Sequence, residues 1–216
     1  MKLSDTIERA KIYFPNLQVK YKDESWFMKL LGYLLFFNKS FMTDYTTTIG
    51  STIYFPSRAK VEAKEISYII VFLHELVHIK DATKYSRILF SFLYLFPQIF
   101  APFSLLLLLI SWKITLPIFI LLLLPLPAYF RMYFEKRAYL VSLYAIKALG
   151  RKLKFSPMLL SQKDRILKQF TGPSYYYMWI FDMDEEFVEY IIQITAGKRP
   201  YYDPIFDIID DLINHP

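Results

Sequence analysis

The chain has 216 residues, enough for one fair-sized domain or two small ones, and its 55% hydrophobic and 19% aromatic content exceeds a usual soluble composition. Its net charge of +6 fits an anionic lipid surface, because basic residues flank the apolar block; nucleic acid is not an expected partner, since no recognition motif accompanies the lysines and arginines. The absence of cysteine excludes disulfide scaffolds, cysteine–zinc knuckles and a cysteine nucleophile together.

The N-terminus, MKLSDTIERAKIYF, has no uninterrupted apolar core and predicts a short amphipathic helix rather than a cleaved signal peptide. Ser25 to Phe37 is a strongly apolar helix, either a core helix or one lying on a bilayer, and is too short to span one. Tyr45 to Phe55 alternates, with Ile49, Ile53 and Phe55 on one face and Thr48, Gly50 and Thr52 on the other, which predicts a half-buried strand ended by Pro56. From Val61 to Lys84 apolar residues recur at three- and four-residue spacing, the period of a helix.

The stretch from Ile88 to Trp112 contains no charge, Lys113 interrupts, and a second apolar run continues to Phe130. A membrane helix needs roughly 20 apolar residues, so the pair predicts a transmembrane hairpin with Lys113 at its tip and Trp112 near the headgroups. Pro97, Pro102, Pro117, Pro125 and Pro127 each remove a backbone donor, which leaves a re-entrant hairpin, or a buried helical pair in a soluble protein, as alternatives. Lys80, Lys84 and Arg87 precede the block and Arg131, Lys136 and Arg137 follow it. The positive-inside rule then puts both termini and the preceding helix on the cytoplasmic side of the membrane. Beyond it, Arg131 to Leu149 predicts a helix with Gly150 as its stop, Ser156-Pro157 opens another to about Phe170, and Asp184 to Ala196 and Asp203 to Ile213 close the chain. Three segments result: 1–87, the hairpin 88–130, and 131–216.

Two of the three histidines fall in VFLHELVHIKD, Val71 to Asp81. His74 and His78, four apart on a helix, face the same way about 6 Å apart at their bases, and two such imidazoles can close on one zinc ion at about 2.0–2.1 Å. Glu75 is turned by roughly 100° from His74, a poor position for a ligand but a good one for taking a proton from a zinc-activated water. The competing reading is a core helix with hydrogen-bonded histidines, costly for two buried imidazoles and a carboxylate without a metal. A catalytic zinc keeps three protein ligands and an open position. Position 84, where a further histidine would extend the motif, is Lys84. Asp81 lies roughly 10 Å along the axis from His74, so it is a candidate to orient an imidazole from behind, or a solvated helix-end charge. His215 is penultimate, and chain ends are usually mobile. Glu135 remains, on the helix that a folded-back hairpin returns beside the first.

His-Glu-x-x-His followed by Glu135-Lys136-Arg137-Ala138 resembles the gluzincin zinc metallopeptidases. The intervening membrane block is similar to the integral-membrane group that includes the CAAX prenyl endopeptidases and the bacterial heat-shock membrane protease, and the small size to metallopeptidases encoded by bacteriophages. The resemblance covers about a third of the chain, roughly Ile69 to Leu143. It implies a zincin-like α+β domain, mainly helical with a small sheet, interrupted by the hairpin. It implies His74, His78 and Glu135 as zinc ligands and Glu75 as the base. It also implies that Tyr45 to Phe55 is an edge strand pairing with extended substrate, and that a transition-state donor lies beyond Glu135, where Tyr175, Tyr176 and Tyr177 are candidates. Tyr139 departs from the pattern, which has an aspartate there, and further membrane helices are missing.

The expected activity is hydrolysis of peptide bonds in a peptide or protein substrate at a membrane. The alternative is a non-catalytic membrane protein whose zinc is a structural clip and whose hairpin perturbs or permeabilises the bilayer. Glu75 favours the enzyme, because a structural site needs ligands but no base.

Overall fold

The computed structural model describes residues 1–36, 38, 40–124, 126–153, 159–172 and 183–215. They are mainly helical, with one small sheet, an α+β arrangement. The chain forms two compact units, Met1–Lys80 with Tyr144–Ser156 and Tyr201–Pro216, and Asp81–Leu143 with Pro157–Pro200.

The first unit opens with α1 (Leu3–Tyr13) and β1 (Gln18–Tyr21), followed by α2 (Trp26–Leu34). Ser25 caps α2 by accepting from the Met28 N–H at 3.3 Å, satisfying one of the donors that every helix start leaves over. The predicted strand 45–55 is instead a hairpin, β2 (Thr47–Ile49) and β3 (Thr52–Phe55), paired antiparallel with Ile49 opposite Thr52. Gly50 turns it at φ 61°; a positive φ confined to the first of two loop residues is a type II′ turn, which glycine supplies without strain. The alternation continues across this turn, which is why it reads as one strand. β1 adds parallel to β3, giving the order β1-β3-β2 with Ile53 and Phe55 fully buried at the centre.

Ser57 caps the short α3 (Arg58–Ala63), and after a break at Lys64 comes α4 (Glu65–Tyr85). Glu65 in its first turn accepts from the Leu3 N–H at 2.8 Å, tying α1 to the start of α4. Phe72, Leu73, Leu76 and Val77 are fully buried on α4, each worth about 1.5–3 kcal/mol of transfer from water. α11 (Ile205–Asn214) closes this core with Ile205, Phe206, Ile209 and Leu212, and Arg9 of α1 grips Asp211 through two 2.6 Å hydrogen bonds.

The second unit begins in the last turn of α4 and contains the apolar block. Its two runs do not form two long straight helices. α5 (Arg87–Leu95) starts after Ser86, whose backbone at φ 68° turns the chain sharply. A 3₁₀ turn (Gln98–Phe100), α6 (Ala101–Ser104), a second 3₁₀ segment (Leu105–Leu109) and α7 (Trp112–Leu123) follow. Among the described residues no single helix is long and apolar enough to cross a membrane; the pair Arg87–Leu95 and Gln98–Leu109 meets the length and composition together but bends by 96°. The break falls at Phe96-Pro97, where proline can neither donate nor continue the helix behind it. α8 (Tyr129–Leu153) runs through Gly150 instead of stopping there, with Ala145, Ala148 and Leu149 buried on it. α9 (Leu159–Thr171) and α10 (Asp184–Thr195) pack through Phe170 and Phe187, rings 6.2 Å apart. The predicted cap Ser156-Pro157 lies outside the described residues. α4 and α8 each supply residues to both units.

Candidate metal centre

His74, Glu75 and His78 occupy the middle of α4, roughly two to three turns before its end, and Glu135 lies in the second turn of α8. The two imidazoles stand with ring centroids 5.1 Å apart and planes 76° to one another, as four-residue spacing requires. His74 is half-buried, while Glu75, His78 and Glu135 are buried. Among the described residues His74, His78 and Glu135 form a group in which each offers one ligand atom, all within 4.8 Å of one another.

The donor set fits a divalent cation. Four-coordinate zinc at about 2.0–2.2 Å from its ligands holds neighbouring donor atoms roughly 3.4 Å apart, a closure that small side-chain rotations provide from the spacing seen here. Two neutral imidazoles and one carboxylate are borderline and hard donors in the mixture that zinc accepts. The residues can hold a metal ion; the donor set alone does not fix which one.

No protein-family model, curated protein or solved structure matches this chain. The site therefore stands on its own geometry.

Two hydroxyls that sequence reasoning did not single out hold the carboxylates. Thr48 of β2 donates to Glu75 Oε2 at 2.7 Å, and Tyr94 of α5 donates a short hydrogen bond to Glu135 Oε1. A carboxylate has about four lone-pair sites, so one such hydrogen bond does not by itself exclude a cation or a water. The guanidinium of Arg131 lies 4.9 Å from the Tyr94 ring centroid, a cation–π contact that steadies the phenol. Nothing local marks either hydroxyl: Thr48 reads as one polar position of an alternating strand, and Tyr94, one of 18 tyrosines in the chain, as part of a greasy run.

Lys22, just past β1, is completely buried. Its Nζ donates to the Phe41 carbonyl at 2.6 Å and sits 4.0 Å from the Phe41 ring centroid. Burial pushes its pKa down to about 8, against the opposing pull of the Glu75 carboxylate.

Asp81 is 1% exposed and accepts a short hydrogen bond from Arg137 of α8, which is also buried. Its carboxylate is thus paired with a guanidinium within the second unit. Tyr175, Tyr176 and Tyr177 lie outside the described residues. His215 is exposed, its N–H accepted by the Asp211 carbonyl at 2.9 Å, and it is not part of the metal group.

Proposed function

We propose that this chain is a membrane-associated zinc metalloendopeptidase of gluzincin type. The observation that carries the reading is the grouping of His74, His78 and Glu135 within 4.8 Å beside a glutamate that no ligand role requires. Zinc in that group would supply a Lewis acid and lower the pKa of a water bound there. His74, His78 and Glu135 hold the ion, and Tyr94 fixes the Glu135 carboxylate through its hydroxyl. Thr48 holds Glu75 through Oε2, so that the carboxylate is aimed before substrate arrives. Glu75 then takes the proton of the attacking water and delivers it to the departing amine. β2 is an outer strand of the sheet, and an extended peptide adding along it would pass next to Thr48 and Glu75.

The apolar block supports membrane association. Ile88 is 86% exposed and Leu109 89%, and the charges lie on its flanks rather than within either run. Its 96° bend favours a block that dips into one leaflet over a straight hairpin, and the basic flanks favour the cytoplasmic face.

The deciding experiment pairs metal content with hydrolysis in the purified full chain, wild type against Glu75→Gln. The enzyme reading expects zinc retained and peptide hydrolysis abolished in the variant. Retained hydrolysis rejects it, and zinc without hydrolysis in the wild type favours the structural-clip alternative.

A further inference from the structure

The helix α2 presents its apolar residues on the wrong side for a core helix. Trp26, Leu30, Tyr33 and Leu34 follow the i, i+4, i+7, i+8 spacing that lines one helical face. That face is open: Trp26 is 75% exposed, Tyr33 79% and Leu34 60%. The opposite face already meets the packing needs of the fold. Met28 is fully buried there, and Gly32 approaches so closely that a Cβ on it would stand 2.7 Å from Met42 Cγ. Among the described residues the outer stripe is thus left largely uncovered, yet it is the more aromatic of the two faces.

We infer that α2 is an in-plane docking helix that seats on an anionic lipid leaflet through Trp26, Leu30, Tyr33 and Leu34. Nine residues rise only about 14 Å, far short of a bilayer core, so the helix lies along the surface. Trp and Tyr prefer the headgroup level, where an apolar ring and a polar tip are both accommodated. Lys29 is exposed at the border of the stripe, placed to reach headgroup phosphate while its stem covers apolar surface. The sequence from Ser25 to Thr43 contains no acidic residue, and its charges are Lys29 and Lys39. An anionic leaflet complements that charge, whereas a second copy of the chain seated through the same helix would bring only more lysine against it.

This docking does not depend on hydrolysis, and the two readings fail separately. The test uses the full chain with Trp112→Phe and Trp179→Phe, leaving Trp26 as the reporter, in mixed phosphatidylcholine and phosphatidylglycerol vesicles. Trp26 emission is expected to shift to the blue and to be quenched more by lipids brominated near the headgroup than by those brominated at the chain end. Lys29→Glu, at an exposed position, is expected to weaken that quenching. Emission that stays at the water-exposed position overturns the inference. So does a blue shift that follows protein concentration and ignores brominated lipid, which would mark self-association. Equal quenching in pure phosphatidylcholine overturns the anionic preference.

Discussion

Thr48 Oγ1 lies 2.7 Å from Glu75 Oε2, joining the outer strand of the sheet to the middle of the histidine-bearing helix. A hydrogen bond to a charged carboxylate is worth about 1.5–3 kcal/mol, and this one fixes the rotamer of the residue proposed as the base. Thr48→Val keeps the β-branched shape and removes only the donor. Peptide hydrolysis should fall roughly tenfold or more in kcat/KM while zinc content stays at the wild-type level. An unchanged rate would remove Thr48 from the machinery.

Tyr94 holds Glu135 from α5, the first helix of the apolar block. Groups that orient a metal ligand typically contribute 10–100-fold to affinity. Tyr94→Phe should therefore weaken zinc binding by about that factor, measured by competition with a chromogenic chelator. Glu135→Gln should lose the metal more completely, because a neutral amide replaces the only anionic ligand of the group. Equal affinity in wild type and Tyr94→Phe would show that the phenol is incidental.

The parts of this architecture readable in the sequence are those with local signals. His74, Glu75 and His78 announce themselves by spacing, and Glu135 by the Glu-x-x-Ala that it opens; the structure brings His74, His78 and Glu135 into one group that could hold a metal ion. The α+β character follows from the resemblance, and the helical and alternating periods agree with it. The hairpin at Gly50-Ser51 carried a usable signal, since Gly-Ser between two short strands marks a II′ turn, but Ile49, Ile53 and Phe55 kept the same alternation across it. β1 is four residues long, too brief for a period to emerge. Gly150 failed as a stop because tertiary burial of its neighbours Ala148 and Leu149 outweighs its weak helix propensity. Thr48 and Tyr94 stand 27 and 41 residues from their carboxylates, and no local pattern encodes a partner at that distance.

The Asp81–Arg137 pair makes a stability prediction independent of the metal. Both side chains are almost fully buried, so removing one charge leaves the other desolvated. Asp81→Asn should destabilise the chain by about 3–5 kcal/mol, whereas Asp81→Leu combined with Arg137→Met should cost far less, because both charges then leave the interior. Chemical denaturation of the three chains distinguishes these outcomes. Similar losses in the single and double variants would mean that the pair acts through shape rather than charge.

Lys22 supplies a pH signature whose sign can be worked out. Its pKa falls from the ordinary 10.5 to about 8 in the folded chain because burial disfavours the ammonium. Between those two values the unfolded chain binds the proton and the folded chain does not, so stability rises with pH across that window and is flat below it. After allowance for solvent screening the rise is on the order of 2 kcal/mol. Tyr190, pushed up to about 12 by burial and by the Glu186 carboxylate, acts oppositely at the alkaline end, since its folded phenol resists ionisation while the unfolded one yields from about pH 10. The informative quantity is thus the difference between wild type and Lys22→Met, which retains Tyr190 and removes the ammonium. Unfolding free energies measured from pH 7 to 10.5 should converge or cross as the wild type gains stability that the variant does not. Parallel curves over that range would place the Lys22 proton at its ordinary affinity, and with it the claim that burial drives this lysine toward neutrality would fall.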